Sequence, residues 1–241
     1  METKKVAVIG GGAAGFFAAI SVKENHPSHQ VILFEKSSKV LSKVRISGGG
    51  RCNVTHDCSD IPTLCEAYPR GGKKLKSLFY QFSKSDTVDW FESRGIPLKT
   101  EKDGRMFPKS NNSQSIIDCL ESEIDRLKVD LKMGQAIERI EEDGMGWKLN
   151  FKDQPYQKFD MVIIATGGSP KITGFDWLKN LGHNIIPPVP SLFTFNMPNE
   201  PIKKLMGLVV ENARVMIKKS KIKTCLLYTS DAADDSLRVD L

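Results

Sequence analysis

Residues 6–35, VAVIGGGAAGFFAAISVKENHPSHQVILFE, decide the fold. Val6 to Ile9 is a short, wholly apolar run, the pattern of a strand buried on both faces of a parallel sheet. Ala13 to about Asn25 carries Ala and Phe at helical spacing, and His26-Pro27 ends it, because proline disfavours a helical residue before it. Val31 to Phe34 is a second buried run that closes on Glu35. Strand, helix and strand together take about 30 residues, the length of a compact βαβ unit. Gly10, Gly12 and Gly15 stand between the first strand and the helix in a G-x-G-x-x-G spacing. The first glycine permits a tight turn, the second lets backbone approach a pyrophosphate, and the third lets helix and strand pack closely. The start of the helix adds free N–H groups and a positive dipole end. Glu35, 20 residues after Gly15, stands where a carboxylate accepts hydrogen bonds from ribose hydroxyls.

Two further glycine clusters extend this reading. Ser47-Gly48-Gly49-Gly50-Arg51-Cys52-Asn53 places three glycines in succession, each of which costs backbone entropy on ordering. The expectation is a backbone lying against a flat or charged ligand rather than a packing role. Arg51 adds a fixed positive charge and Asn53 a donor and an acceptor. Ala165-Thr166-Gly167-Gly168 follows another apolar run, Met161 to Ile164. Ligands of open parallel sheets collect at the carboxyl ends of the strands, so this turn is expected beside the first.

Between these motifs, residues 36–72 read as a long, polar, irregular connection. Helices are expected from about Lys73 to Ser83 and from about Asp86 to Arg94, with Gly95 as a left-handed stop. Asp103-Gly104 marks a turn. Ser113 to Leu127 carries Ile116, Ile117, Leu120, Ile124 and Leu127 on one stripe of an amphipathic helix. Short strands follow at Val129 to Met133, Ala136 to Glu141 and Gly146 to Phe151, the last two joined through Asp143-Gly144. Pro187, Pro188 and Pro190 mark a boundary. Beyond it, Leu192 to Met197 and Leu208 to Ile217 suggest strands of a β-rich region.

Taken together, GGGAAG after a strand, Glu35-Lys36, SGGGRCN and the ATGG turn resemble the glutathione-reductase-like FAD fold. More narrowly, the chain resembles the NAD(P)/FAD-dependent oxidoreductases of the aminoacetone-oxidase family. Asp103-Gly104-Arg105-Met106-Phe107-Pro108 and Pro190-Ser191-Leu192-Phe193 support the likeness, which runs from about residue 4 to about residue 224. It implies that Gly10, Gly12, Ala13, Ala14 and Gly15 face the FAD pyrophosphate and Glu35 the adenosine ribose. Lys36 would lie against the adenine, and Ile137 belongs to the strand whose backbone meets it. Gly48, Gly49, Gly50, Arg51, Cys52 and Asn53 would approach the flavin, and Thr166 and Gly167 match the second FAD-contacting turn.

The fold class expected is therefore α/β: a Rossmann-like FAD-binding domain over residues 1–188, with a parallel sheet and a small antiparallel meander. Residues 189–224 would begin an inserted β-rich domain. Members of the family are usually much longer, and after that insertion return to the FAD domain. The tail from Cys225 to Leu241 resembles sequencing read-through, so a truncated chain with a non-native tail from residue 225 is expected. The tail holds four aspartates against Arg238, which makes the remaining body more basic than the formal +6 of the whole.

Composition limits the alternatives. Of 241 residues, 40% are hydrophobic and 27% charged, as in a soluble globular protein. No apolar run reaches the roughly 20 residues of a membrane span, and Val6 to Ile9 lacks the features of a signal peptide. A cytoplasmic location is expected. Cysteines at 52, 58, 65, 119 and 225 keep no metal-ligand spacing, which argues against zinc, and reduced thiols are expected. The lysines are scattered, so nucleic acid is not an expected partner and a small molecule is. The function expected is hydride transfer between FAD and a small organic substrate, with NAD(P)H at most a transient donor. An NAD-dependent dehydrogenase and an RNA-modifying or non-catalytic flavoprotein are the alternatives. No second G-x-G-x-x-G supports a separate NAD(P)H domain. None of His26, His29, His56 and His183 stands out as a catalytic acid or base, so the catalytic group is unassigned.

Overall fold

The computed structural model describes residues 2–58, 60–68, 71–152, 154–169 and 172–188, with short backbone pieces beyond. Contacts divide the chain into one unit of Met1–Ile186 and a second of Pro187–Leu241.

The centre of the first unit is a parallel sheet that the opening residues begin. Strand β1 (Lys5–Ile9) pairs with β2 (Gln30–Glu35), and helix α1 (Ala13–Asn25) crosses between them. Helix α1 stops at His26, as the following proline requires. Two strands from far along the chain complete the sheet: β6 (Asp130–Met133) beside β2, and β10 (Met161–Ile164) beside β1. The order β10-β1-β2-β6 is parallel throughout. The run at 129–133, read from the sequence as one of three like strands, thus joins the parallel sheet rather than the meander.

Alternation along the central strands builds a core on each face. Val6, Val8, Val31 and Leu33 point to one face, where they pack with Phe16 and Ile20 of α1. Ile116, Ile117, Leu120 and Ile124 of α6 (Ser113–Arg126) fill the same core. Ala7, Ile9, Ile32 and Phe34 point to the other face. There they meet Ile140, Leu149, Phe151 and Phe159 of an antiparallel meander, β7 (Ile137–Glu142), β8 (Trp147–Phe151) and β9 (Gln154–Phe159). Phe34 lies 5.2 Å from Phe151 and 5.8 Å from Phe159, ring centre to ring centre. The arrangement is three layered: helices, parallel sheet, meander.

The stretch 36–72 corrects the expectation of an irregular connection. It contains helix α2 (Ser42–Gly50), the short strand β3 (Thr55–His56) and helix α3 (Ile61–Glu66), the last capped by the Asp60 carboxylate on the Thr63 N–H. Of the two helices after it, α4 at Gly72–Phe79 is shorter than expected, and α5 at Lys84–Glu92 has the expected length but starts two residues earlier. Helix α5 opens with a capping box in which Ser83 and Asp86 satisfy each other's backbone. Strands β4 (Leu98–Thr100) and β5 (Arg105–Pro108) join β3 in a small sheet of order β3-β5-β4.

A charged network ties three helices behind the sheet. Arg94, just after α5, donates to Glu24 of α1 at 2.6 Å and to Glu123 of α6 at 3.1 Å. Its guanidinium lies 3.9 Å from the centre of the Trp90 ring. Arg126 holds Glu123 from the other side at 2.7 Å. Hydrogen bonding from Arg126 and Arg94 holds the Glu123 carboxyl below its ordinary range although burial opposes it.

In the second unit, Arg214–Met216 pairs antiparallel with Lys223–Cys225, and Thr194–Phe195 pairs with Arg238–Val239. Thr194–Phe195 and Arg214–Met216 fall within the strands read from the sequence, whereas Lys223–Cys225 and Arg238–Val239 do not; the rest of Leu192 to Met197 and Leu208 to Ile217 lies outside the described residues.

Candidate functional site

All four strands of the parallel sheet run the same way, so their carboxyl ends share one edge, and a cleft of about 270 Å³ opens there. Each strand end contributes to it: Gly10 after β1, Glu35 and Lys36 after β2, Gln135 and Ile137 after β6, Thr166 and Gly167 after β10. Phe34, Phe175 and Trp177 form apolar parts of its lining. Five residues that the sequence singles out separately, Glu35, Lys36, Ile137, Thr166 and Gly167, thus stand together with Gly10 around one space.

The glycine corner is built as its spacing requires. A Cβ on Gly10 would run into the carbonyl oxygen of Ala165, so the first and last turns lie backbone to backbone. A Cβ on Gly15 would collide with the carbonyl of Gly10, so helix α1 packs directly against the turn after β1. Gly12 caps the helix with extended backbone and no side-chain hydrogen bond. Gly12, Ala13 and Ala14 are exposed, and no atom lies within 4 Å of where a Gly12 side chain would be. The first turn of α1 therefore offers uncapped N–H groups and a positive dipole end to an anion.

Glu35 is held from both sides. One carboxylate oxygen accepts from the Gly11 N–H at 2.7 Å, and the other from the Ser37 N–H and hydroxyl, each at 2.8 Å. Burial raises its pKa, but these hydrogen bonds and the neighbouring Lys36 charge outweigh it, and the carboxyl titrates below its ordinary 4.5. Glu35 is thus an anionic acceptor fixed at the rim. Gln135, which the sequence reading did not single out, is tied to the same strand end by its N–H on the Glu35 carbonyl at 2.9 Å. Its side-chain oxygen is buried without a hydrogen-bond partner. No motif marks this residue; only the topology brings it to the cleft.

The SGGGRCN segment does not line this cleft. Helix α2 starts beside the corner, where the Leu41 N–H donates to the Gly11 carbonyl at 2.8 Å, and it breaks at the glycines. Gly48, Gly49 and Gly50 all take positive φ, as does Cys52. The expectation that the three glycines have no packing role holds for two of them. A side chain on Gly48 would strike the Phe107 ring, so this glycine is a packing requirement, whereas nothing lies within 4 Å of the open side of Gly49. Arg51 is not a bare charge either: it pairs with Glu101 at 2.6 Å and stacks over Phe107 at 3.9 Å. Cys52 is buried and desolvation pushes its thiol pKa up, with a hydrogen bond to Ser47 opposing. The Asn53 side-chain oxygen is buried and unpartnered, the second such atom among the described residues. His56 is exposed and meets the Asp103 carbonyl at 3.0 Å.

Comparison with known proteins places the fold in a family. The chain is 28% identical to the 3-dehydro-bile acid delta(4,6)-reductase of Clostridium scindens, over 85% of this chain and 50% of that protein. It is 26% identical to the ribosomal RNA dihydrouridine synthase of Escherichia coli, over 95% of this chain and 58% of that protein. The chain thus spans about half the length of these curated relatives. Among solved structures, a flavocytochrome c3 fumarate reductase in its open conformation shares the fold, with a TM-score of 0.51 and 24% identity over 69% of this chain and 34% of that one. The HI0933-like protein Rossmann domain matches residues 4–227, and the chain belongs to that family.

Proposed function

We propose that the chain carries the FAD-binding part of an FAD-dependent oxidoreductase that transfers hydride between the flavin and a small organic substrate. The observation that carries this reading is the convergence of Gly10, Glu35, Ile137 and Thr166 on one cleft at the carboxyl edge of the sheet. The residues fit the cofactor: the uncapped start of α1 suits a diphosphate, the fixed carboxylate of Glu35 suits ribose hydroxyls, and Gln135, whose side-chain oxygen is buried without a partner, lines the same cleft. A cleft of about 270 Å³ suits the adenosine end of a dinucleotide, since whole-ligand sites begin near about 300 Å³.

In this reading Gly12, Ala13, Ala14 and Gly15 hold the diphosphate, Glu35 the ribose, and Lys36 and Ile137 the adenine. Thr166 and Gly167 line the second turn, and Gly48, Gly49, Gly50, Arg51, Cys52 and Asn53 form the flavin side. Bound FAD supplies the hydride chemistry, and the protein binds and orients it. Glu101, by clamping Arg51 onto Phe107, keeps the SGGGRCN segment in one shape. Residues 1–188 are the FAD domain and 189–224 the start of an inserted domain. NAD(P)H is the proposed transient donor and the cytoplasm the proposed compartment. The test is calorimetric titration of the purified chain with FAD and with NAD, beside its visible spectrum. Flavin bands and FAD binding are expected; a colourless protein that binds NAD and refuses FAD overturns the reading.

One observation favours RNA as the substrate instead. Residues 67–83 hold Arg70, Lys73, Lys74 and Lys76 and no acidic residue, and Tyr68 and Tyr80 are exposed among them. Lysines interleaved with exposed aromatic rings suit phosphates and unstacked bases. One relative's name carries the same substrate. Salt-sensitive binding of a single-stranded RNA that is lost on K73E/K76E favours this version; unchanged binding removes it.

A further inference from the structure

We propose that the terminal amide of Gln135 reads the adenine edge and makes the site selective for adenine over other purines; the inference rests on the FAD reading. Gln135 follows β6 at the sheet edge and lines the cleft beside Lys36, Ala136 and Ile137. Its main chain is pinned by the hydrogen bond to the Glu35 carbonyl, so the side chain starts from a fixed point. Its Oε1 is buried and has no hydrogen-bond partner. Buried amide oxygens are almost always paired, and one left unpaired beside a ligand cleft points to a donor that arrives with the ligand.

The chemistry of the amide narrows what that donor is. A Gln amide presents one acceptor and one N–H donor side by side, which matches the amino group and N7 of adenine in two parallel hydrogen bonds. Rotation about the last side-chain torsion exchanges oxygen and nitrogen at low cost, so the buried oxygen can turn to meet the base. Phe34, Phe175 and Trp177 supply apolar lining for the flat ring. Hypoxanthine and guanine carry an oxygen where adenine carries the amino group. Against them the amide keeps one of its two bonds and loses the other.

The test is calorimetric titration of the 241-residue chain with ADP, IDP and 2′-deoxy-ADP, repeated on Q135L and Q135M. The parent chain should bind ADP about tenfold more tightly than IDP, the discrimination of a good bidentate pair. Q135L should lower that ratio several-fold and leave the preference for ADP over 2′-deoxy-ADP unchanged, because Glu35 governs the ribose. Q135M, close to glutamine in volume and without either polar group, should also reduce the ratio, and it carries the test if Q135L fails to fold. An ADP to IDP ratio that is near one in the parent, or unchanged in folded variants, overturns the inference and leaves the FAD reading standing. A change confined to 2′-deoxy-ADP overturns it in favour of ribose contact. A chain that binds neither ADP nor FAD overturns the cofactor reading itself, and this inference with it.

Discussion

Replacing Gly12 and Gly15 separately with alanine divides what the corner does for folding from what it does for a ligand. At position 15 the added methyl would collide with the Gly10 carbonyl and lie 3.3 Å from Leu33 Cδ1. A side chain could yield, but a backbone carbonyl in the turn after β1 moves only with the strand. Overpacking of this kind costs about 1–3 kcal/mol, and the better helix propensity of Ala returns at most about 1 kcal/mol. Gly15→Ala is therefore expected to destabilise the fold by about 1–2 kcal/mol, lowering the urea midpoint by roughly 0.5 M at an ordinary slope. At position 12 the backbone has φ −91°, which Ala accepts, and nothing lies within 4 Å. Gly12→Ala should cost under about 1 kcal/mol of stability, the difference between the two as helix caps. Its methyl would stand where a diphosphate must approach, so FAD affinity should fall at least about tenfold, or about 1.4 kcal/mol. Urea titration and calorimetry on the same samples give both numbers. A Gly12→Ala chain that folds like the parent and binds FAD undiminished would refute the placement of the diphosphate, and an unmoved midpoint in Gly15→Ala would refute the packing argument.

Two other outcomes follow from the geometry. Because the Glu35 carboxyl titrates below its ordinary 4.5, its hydrogen bonds to Gly11 and Ser37 contribute above that value and are lost as pH falls through the lower folded value. Nucleotide affinity should decline on acidification below pH 4.5, and Glu35→Gln, weaker at neutral pH, should flatten that profile; parallel profiles would exclude Glu35 as its source. Arg94→Ala should cost about 2 kcal/mol in urea titration, between a surface pair and a fully buried one, because it leaves Glu24 and Glu123 to share Arg126 alone and uncovers Trp90. A loss below about 0.5 kcal/mol would show that Arg126 alone carries the network.

The βαβ unit was legible because three independent signals, apolar runs, glycine spacing and a proline stop, fall on the same residues. The amphipathic helix at 113–126 was legible for the same reason, its stripe of isoleucines being long and regular. Strand β9, QPYQKF, was not: it is polar, it contains Pro155, and only Phe159 is buried, so its register comes from β8 and not from its own pattern. Helix α2 was hidden by its glycines, since Val44 is the one apolar side chain it buries. The site divides in the same way. Glu35, Ile137 and Thr166 could be named from motif and resemblance, but their meeting at one cleft depends on strand order. Gln135 has no motif at all, and the partnering of Arg51 by Glu101 depends on a small sheet that the sequence pattern did not announce.

The pairing of β10 with β1 has a consequence for biogenesis. Ile9 stands opposite Ile164, and the Ala165 N–H closes on the Ile9 carbonyl, so the corner made from the first dozen residues is finished by the last strand of its unit among the described residues. A ribosome would release the glycines long before their partner, and a slip of one position would turn Val162 and Ile163 to opposite layers. Affinity for a nucleotide should then arise late and abruptly during synthesis, so that capture of the ligand acts as a signal that the topology has closed correctly.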